Sequence, residues 1–251
     1  MSEILRIEDL TKKFQKKNLF SSDSNEVIAA NKVNFSLNHV EILAIAGQSG
    51  SGKSTIAKLI LRAIEPNSGK IFYKNEEIKS NSEELKKFRM RCQMVYQDPY
   101  DSINPRMTIQ DIVNEPLEIH SIGTKEERQE RVLETLRMVK LEPAEEIAKK
   151  HPHMLSEPVS MLDVSIRAEI LELMKEIQTK NEISMIYITH DLATAKHFAD
   201  NIVILNSGRI MEAGPINKVL LNPENSYTKA LIAAISEPDP ENLHKMKEIS
   251  L

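Results

Sequence analysis

One run constrains this chain more than any other: Gly47-Gln48-Ser49-Gly50-Ser51-Gly52-Lys53-Ser54-Thr55 fits G-x-x-x-x-G-K-[ST], the pattern of a phosphate-binding loop. Its surroundings suit it. Residues 41–46 (EILAIA) form a short apolar run that reads as a buried parallel strand, and residues 55–64 (TIAKLILRAI) read as the helix that follows. Gly47, Gly50 and Gly52 allow torsions and a close approach that a Cβ would block, so successive N–H groups can surround a polyphosphate at a helix N-terminus. Lys53 then bridges the terminal phosphates and Ser54 holds Mg²⁺. Nucleotide binding is the first expectation.

Composition narrows the setting. A chain of 251 residues suits one large α/β domain, alone or with a subdomain, and can bury a substantial core. Charged residues make up 28% and hydrophobic ones 41%, and the mean hydropathy of -0.35 comes with no long apolar run, so a membrane span is not expected. Any role at a membrane therefore needs partner subunits. The start MSEILRIEDL lacks a basic region followed by an apolar stretch, and the single cysteine, Cys92, cannot form an internal disulfide; a reducing cytosol is expected, with Cys92 inert. The net charge of -4 supplies no bulk attraction to nucleic acid, and Lys12, Lys13, Lys16 and Lys17 read as a solvated face.

Alternation in residues 4–7 and 33–37 predicts half-exposed strands, separated by a polar loop around residues 21–25, so that an antiparallel β layer precedes the phosphate loop. Residues 125–141 place Val132, Leu133, Leu136 and Val139 on one helical stripe, and Ile166, Ile170, Leu173, Met174 and Ile177 do the same further on; both stripes read as core. Residues 183–189 (ISMIYIT) read as a second buried strand, and residues 202–205 as a strand entering the turn Asn206-Ser207-Gly208. The tail after Ser236 is read as mobile.

With these elements in place, several segments resemble the ATP-binding subunits of ABC transporters, in the branch that imports peptides and nickel. The segments are MVYQDPYDSINPRMTIQDIVNEPL (94–117), EPVSMLDVSIRAEIL (157–171), YITHDLATAKHFAD (187–200) and NPENSYTKALIAAI (222–235). The resemblance implies an ABC-type P-loop fold: α/β, a mixed parallel sheet with an antiparallel β layer, and a helical subdomain at about residues 98–156. It also implies ATP and Mg²⁺ as ligands, with Gln48, Ser49, Ser51 and Thr55 completing the loop. Gln97 reaches Mg²⁺ and the attacking water, His190 contacts the γ-phosphate, and Glu157 stands where the catalytic acid belongs. Asp163 falls in the segment that crosses to a second subunit. Phe14 is placed like the aromatic that stacks on adenine, although a core phenylalanine reads equally well. His151 and His153 are too sparse for a metal site. The implied partners are a second ABC ATP-binding subunit, two membrane permease subunits and an extracytoplasmic substrate-binding protein, with no nucleic acid. The implied location is the cytoplasmic face of the cell membrane.

The resemblance breaks at one place. The family carries an L-S-G-G-Q signature, a helix, and an apolar strand ending in Asp-Glu, whereas here residues 151–156 (HPHMLS) run directly into Glu157-Pro158-Val159-Ser160. No two of the seven glycines are adjacent, so the signature is absent rather than displaced, and Ser156 stands in place of the Mg²⁺-associated aspartate. Loss of a central strand and its helix removes core, so weakened or rearranged structure is expected between Lys150 and Val164. The alternative to a working ATPase subunit is then a nucleotide-binding protein without turnover, or the product of an internally deleted gene. A DNA-repair or translation ABC protein is disfavoured by the single nucleotide domain, the lack of zinc cysteines and the acidic balance.

Overall fold

The structure, a computed structural model, describes residues 2–16, 25–80, 82–95, 103–155 and 164–236. Its first sheet begins with β1 (Glu3–Lys16) and β2 (Asn25–Asn38), paired antiparallel with Ile7 opposite Phe35 and Leu10 opposite Val33. Alternation sends Leu5 and Ile7 inward while Arg6 and Glu8 form an ion pair on the other face, and a bulge between Ile7 and Leu10, with Asp9 at φ 46, brings Leu10 inward as well. β4 (Ser68–Tyr73) and β5 (Glu76–Glu77) complete the order β2-β1-β4-β5. The expected antiparallel layer ahead of the phosphate loop is present; the expected polar loop falls mostly outside the described residues.

The second sheet is built on β3 (Ile42–Ala46), buried along its whole length. Parallel to it run β6 (Met185–Thr189) on one side and β7 (Asn201–Asn206) on the other, and β8 (Arg209–Pro215) returns antiparallel to β7 through the turn read from Asn206-Ser207-Gly208. Helix α1 (Lys53–Ile60) places Ile56, Leu59 and Ile60 in a core that joins the two sheets, among Ile7, Leu10, Ile45, Val203 and Leu205. It ends short of the expected Ile64 because Arg62 turns to φ 51 and donates its amide to the Leu59 carbonyl. Around this core lie α2 (Ser82–Arg91), α7 (Leu192–Phe198), α8 (Ile216–Leu221) and α9 (Ser226–Ser236).

Residues 93–173 form a separate compact unit, wider than the expected 98–156. It contains α3 (Ile109–Ile119), α4 (Lys125–Met138) and α5 (Ala144–Ile147), and its far boundary falls within α6 (Val164–Lys180). Thr108 with Asp111 and Thr124 with Glu127 form reciprocal capping boxes that start α3 and α4. Val132 and Leu136, on the stripe read as core, are buried against Ala144, Ile147 and Ala148.

Two expectations of burial need correction. β6 is only half-buried except at Thr189, although its apolar sequence reads as a buried strand. On the α6 stripe Ile170 is 48% exposed and Leu173, Met174 and Ile177 are half-buried, so this stripe is not closed core. For β6 the reason lies in its neighbours: β3 is paired on both edges, whereas among the described residues β6 pairs on one edge alone. The expected rearrangement between Lys150 and Val164 falls mainly on residues 156–163, which lie outside the described residues, as does the tail after Ser236.

In β6 the Met185 amide donates to the Glu41 carbonyl, so the strand period turns the amides of Ile186 and Ile188 away from β3. Hydrogen exchange should find Ile186 and Ile188 exchanging much faster than Met185 and Tyr187, with β3 protected throughout. Uniform protection along β6 would mean that another strand covers this edge.

Candidate functional site

The phosphate loop leaves β3 wedged between the two sheets. At Gly47 the Leu205 carbonyl of β7 occupies the space a Cβ would need, and at Gly52, with φ 106, the Ala29 carbonyl of β2 does the same. Only glycine tolerates either position, since the clash is with backbone and the second torsion is left-handed. The Ser51 carbonyl accepts the Gly208 N–H at 2.9 Å, and the Ser51 N–H donates to the Gln48 carbonyl at 3.2 Å. Gln48, Ser49, Gly50 and Ser54 remain exposed.

Lys53 is folded back over this loop. Its Nζ donates to the Gly47 and Gln48 carbonyls, each at 2.7 Å, with Ser51 Oγ at 3.4 Å. Burial pushes the Lys53 pKa below the ordinary lysine value. Gly52 caps α1 without a side-chain bond, and the first turn of the helix carries no acid to offset its positive end. A polyphosphate fits these features: exposed loop residues, an uncompensated helix N-terminus, and an ammonium held by carbonyls it can leave for a stronger acceptor. Ser54, exposed in the first turn of α1, is suitably placed as one oxygen ligand of Mg²⁺. Thr55 follows it, half-buried.

His190 meets the loop from the neighbouring strand. β3 and β6 run parallel with Ala46 opposite Thr189, so Gly47 and His190 leave the carboxyl ends of adjacent strands at the same level. His190 is exposed there. Its backbone is fixed from both sides, because the Asp191 amide donates to Thr189 Oγ1 at 2.9 Å and Asp191 caps α7 by accepting the Thr194 N–H at 3.1 Å. The sequence reading passed over Asp191, although Asp-x-x-Thr at the start of a helical segment is a capping signal.

Phe14 is 42% exposed and pairs with Val27, which removes the core-phenylalanine alternative. Lys12 Nζ lies 5.3 Å from its ring centroid. The paired strand carries Ala29, whose carbonyl abuts Gly52, so the ring and the loop share this end of β2. Lys12 and Lys13 are engaged on the surface, with the Glu65 carbonyl and the Glu26 carboxylate. Gln97, Ser156, Glu157 and Asp163 lie outside the described residues. His151 and His153 stack 5.6 Å apart, with His151 Nδ1 facing the Met107 carbonyl, and no cluster of three metal-binding side chains occurs among the described residues. Burial pushes the Cys92 thiol up to about 11, which keeps it protonated at neutral pH.

Comparison with known proteins decides the lineage: residues 30–161 match the family model described as ABC transporter. The chain belongs to the ABC transporter ATP-binding family. A relative in Sinorhizobium fredii, described as a probable peptide ABC transporter ATP-binding protein, is 36% identical over 262 positions, covering 94% of this chain and 74% of its own. The oligopeptide transport ATP-binding protein OppF of Bacillus subtilis is 36% identical, covering 88% and 81%. Among solved structures, a dimeric bacterial ABC transporter cassette is 25% identical with a TM-score of 0.71, covering 85% of this chain and 99% of that one. The same cassette, bound to ADP and Pi, matches with equal score. The ABC cassette fold, mixed α/β with antiparallel and parallel sheets, is therefore established for this chain.

The wedge at Gly52 makes a direct prediction. Gly52→Ala should destabilise the protein by about 2 kcal/mol or more, from the left-handed torsion and the Ala29 contact. Urea unfolding checks this; a change below about 0.5 kcal/mol, the range of an ordinary surface substitution, would mean that β2 does not press on the loop.

Proposed function

We propose that this chain is an ATP-binding subunit that energises import of peptides, or of nickel, from the cytoplasmic face of a cell membrane. The observation that carries the reading is Lys53 folded across an open phosphate loop at an uncompensated helix N-terminus. ATP enters with its phosphates along residues 47–54, Lys53 transfers from the loop carbonyls to the terminal phosphates, and Phe14 stacks on adenine. Ser54 would be one oxygen ligand of Mg²⁺, which offsets phosphate charge when bound. His190, level with the loop entrance, contacts the γ-phosphate and responds to its loss.

The peptide assignment is supported by the names of the relatives, and pairing with a second ATP-binding subunit by the dimeric cassette of the same fold. No helix among the described residues is long and apolar enough to cross a membrane, so two permease subunits supply the membrane contact, through residues 97–117, and a separate binding protein delivers substrate.

A second reading concerns turnover alone. The 262 aligned positions of the Sinorhizobium relative exceed the 251 residues of this entire chain, although only 94% of it is matched, so that relative carries additional residues inside the matched span. The pairing of β6 on one edge alone among the described residues, and the half-exposed α6 stripe, are what a sheet short of a neighbouring strand would leave. We infer that binding is retained and hydrolysis impaired, because Ser156 cannot replace an aspartate at Mg²⁺ and no apolar run precedes Glu157 in the sequence to supply a strand that would aim it.

Calorimetry should show Mg-ATP binding that Lys53→Ala weakens about tenfold or more, the effect of removing a charge-assisted contact; equal affinity in the two proteins would sink the site assignment. Turnover should fall well below about 1 s⁻¹, an ordinary enzyme rate, and Glu157→Gln should change it little. Hydrolysis at that rate, abolished by Glu157→Gln, would refute the impairment. Restoring the family's missing span between Ser156 and Glu157 should raise both turnover and thermal stability.

A further inference from the structure

Lys12, which from sequence alone reads as part of a solvated face, has two partners in the structure, and together they bear on the base end of the site. Its ammonium lies over the Phe14 ring, 5.3 Å from the centroid, while Phe14 keeps 42% of its surface exposed. The same Nζ donates to the Glu65 carbonyl at 2.6 Å. An exposed phenylalanine near a strand end samples several rotamers, and an ammonium held at its face by a second bond selects the one that keeps the contact.

Glu65 is a firm footing for that ammonium. Its carboxylate pairs with Arg62 Nη1 at 3.0 Å, and the Arg62 side chain, only 8% exposed, also donates through Nη2 to the Ile78 carbonyl at 2.7 Å. Two further bonds stitch the same segment to β1: the Asn67 N–H donates to the Thr11 carbonyl and the Lys13 N–H to Asn67 Oδ1, each at 2.8 Å. Residues 62–67 follow directly on α1, whose other end carries the phosphate loop. At the loop itself the Ala29 carbonyl of β2 bears on Gly52. The β1–β2 end that carries Phe14 is thus linked to the loop-helix unit at two places, through Lys12 and through Ala29.

We propose that Lys12 is a positioning residue of the base site: braced on Glu65, its ammonium holds the Phe14 ring at a fixed spacing from the phosphate loop. A nucleoside triphosphate then meets base platform and phosphate cradle in one pre-set geometry, and the ring pays little ordering entropy on binding. Lys12 acts on the ring, not on phosphate. This rests on the nucleotide-site reading above, including the stacking of Phe14 on adenine, and adds the residue that orients the ring.

The test measures affinity for Mg-ATP and for Mg-tripolyphosphate, which has no base, in wild type, Lys12→Met, Lys12→Arg, Phe14→Leu and the double variant of Lys12→Met with Phe14→Leu. Lys12→Met should bind Mg-ATP about threefold more weakly, the worth of an exposed cation–π contact, with tripolyphosphate affinity unchanged. Lys12→Arg, which keeps a cation and a donor, should stay near wild type. Once Phe14→Leu has removed the ring, Lys12→Met should cost nothing further. Equal Mg-ATP affinity in wild type and Lys12→Met overturns the Lys12 role, and so does an equal loss for tripolyphosphate, the mark of a charge that attracts phosphate. A lower melting temperature with Mg-ATP affinity unchanged also overturns it, as the mark of a strand brace alone. If Phe14→Leu leaves Mg-ATP affinity unchanged, the stacking role and this proposal fall together while the phosphate site stands. Wild type that binds no Mg-ATP overturns the whole site reading.

Discussion

Two backbone contacts set the geometry on which the site depends: the Leu205 carbonyl against Gly47 and the Ala29 carbonyl against Gly52. Each pins one end of the phosphate loop to a different sheet, so packing against both sheets shapes the loop together with its internal hydrogen bonds. A loop of this kind cannot relax inward when its ligand leaves. Lys53 is what occupies the opening, and its bonds to the Gly47 and Gln48 carbonyls satisfy an ammonium that burial would otherwise penalise. The charge is stored at the place where phosphate binding requires it, and nucleotide competes with carbonyl oxygens rather than with bulk water.

The contrast between β3 and β6 shows how unevenly the parallel sheet is protected. Both are five-residue apolar strands in register, yet β3 is buried throughout and β6 is half-buried in four of its five residues. Both sequences are predominantly apolar, so side-chain chemistry alone does not explain the difference. Neighbours do. A strand of a parallel sheet is shielded by what flanks it, and an uncharged β-branched and aromatic strand with an open edge is prone to pair with other chains.

How legible this was depended on the range of the physics involved. The phosphate loop, β3, the β1–β2 layer and the β7–β8 turn could be read because each is specified within a few residues, by glycine spacing, alternation or a Ser-Gly turn. The α4 stripe was read correctly for the same reason, its partners in α5 being close in sequence. β6 and α6 were misread because their apolar patterns state what a residue prefers, not whether a neighbour is supplied to cover it. The exposure of Phe14 was undecidable from sequence, since pairing with Val27 is compatible with a core or a surface ring.

That difference in range also separates binding from turnover. Residues 47–54, which carry the phosphate-binding pattern, come from one strand-loop-helix unit, and the carbonyls that press on the loop come from Ala29 of β2 and Leu205 of β7. Hydrolysis asks more, because an acid and a water must be aimed at one phosphorus atom from other elements, and aim degrades faster than affinity when a supporting strand is lost. A displacement that barely alters charge attraction can remove a catalytic contact, since Coulomb energy falls off slowly with distance while proton transfer needs hydrogen-bond reach. In the sequence Glu157 follows directly on Ser156 with no apolar run ahead of it, while Lys53 rides on a helix packed through Ile56, Leu59 and Ile60. The lysine of the loop is therefore anchored in the core.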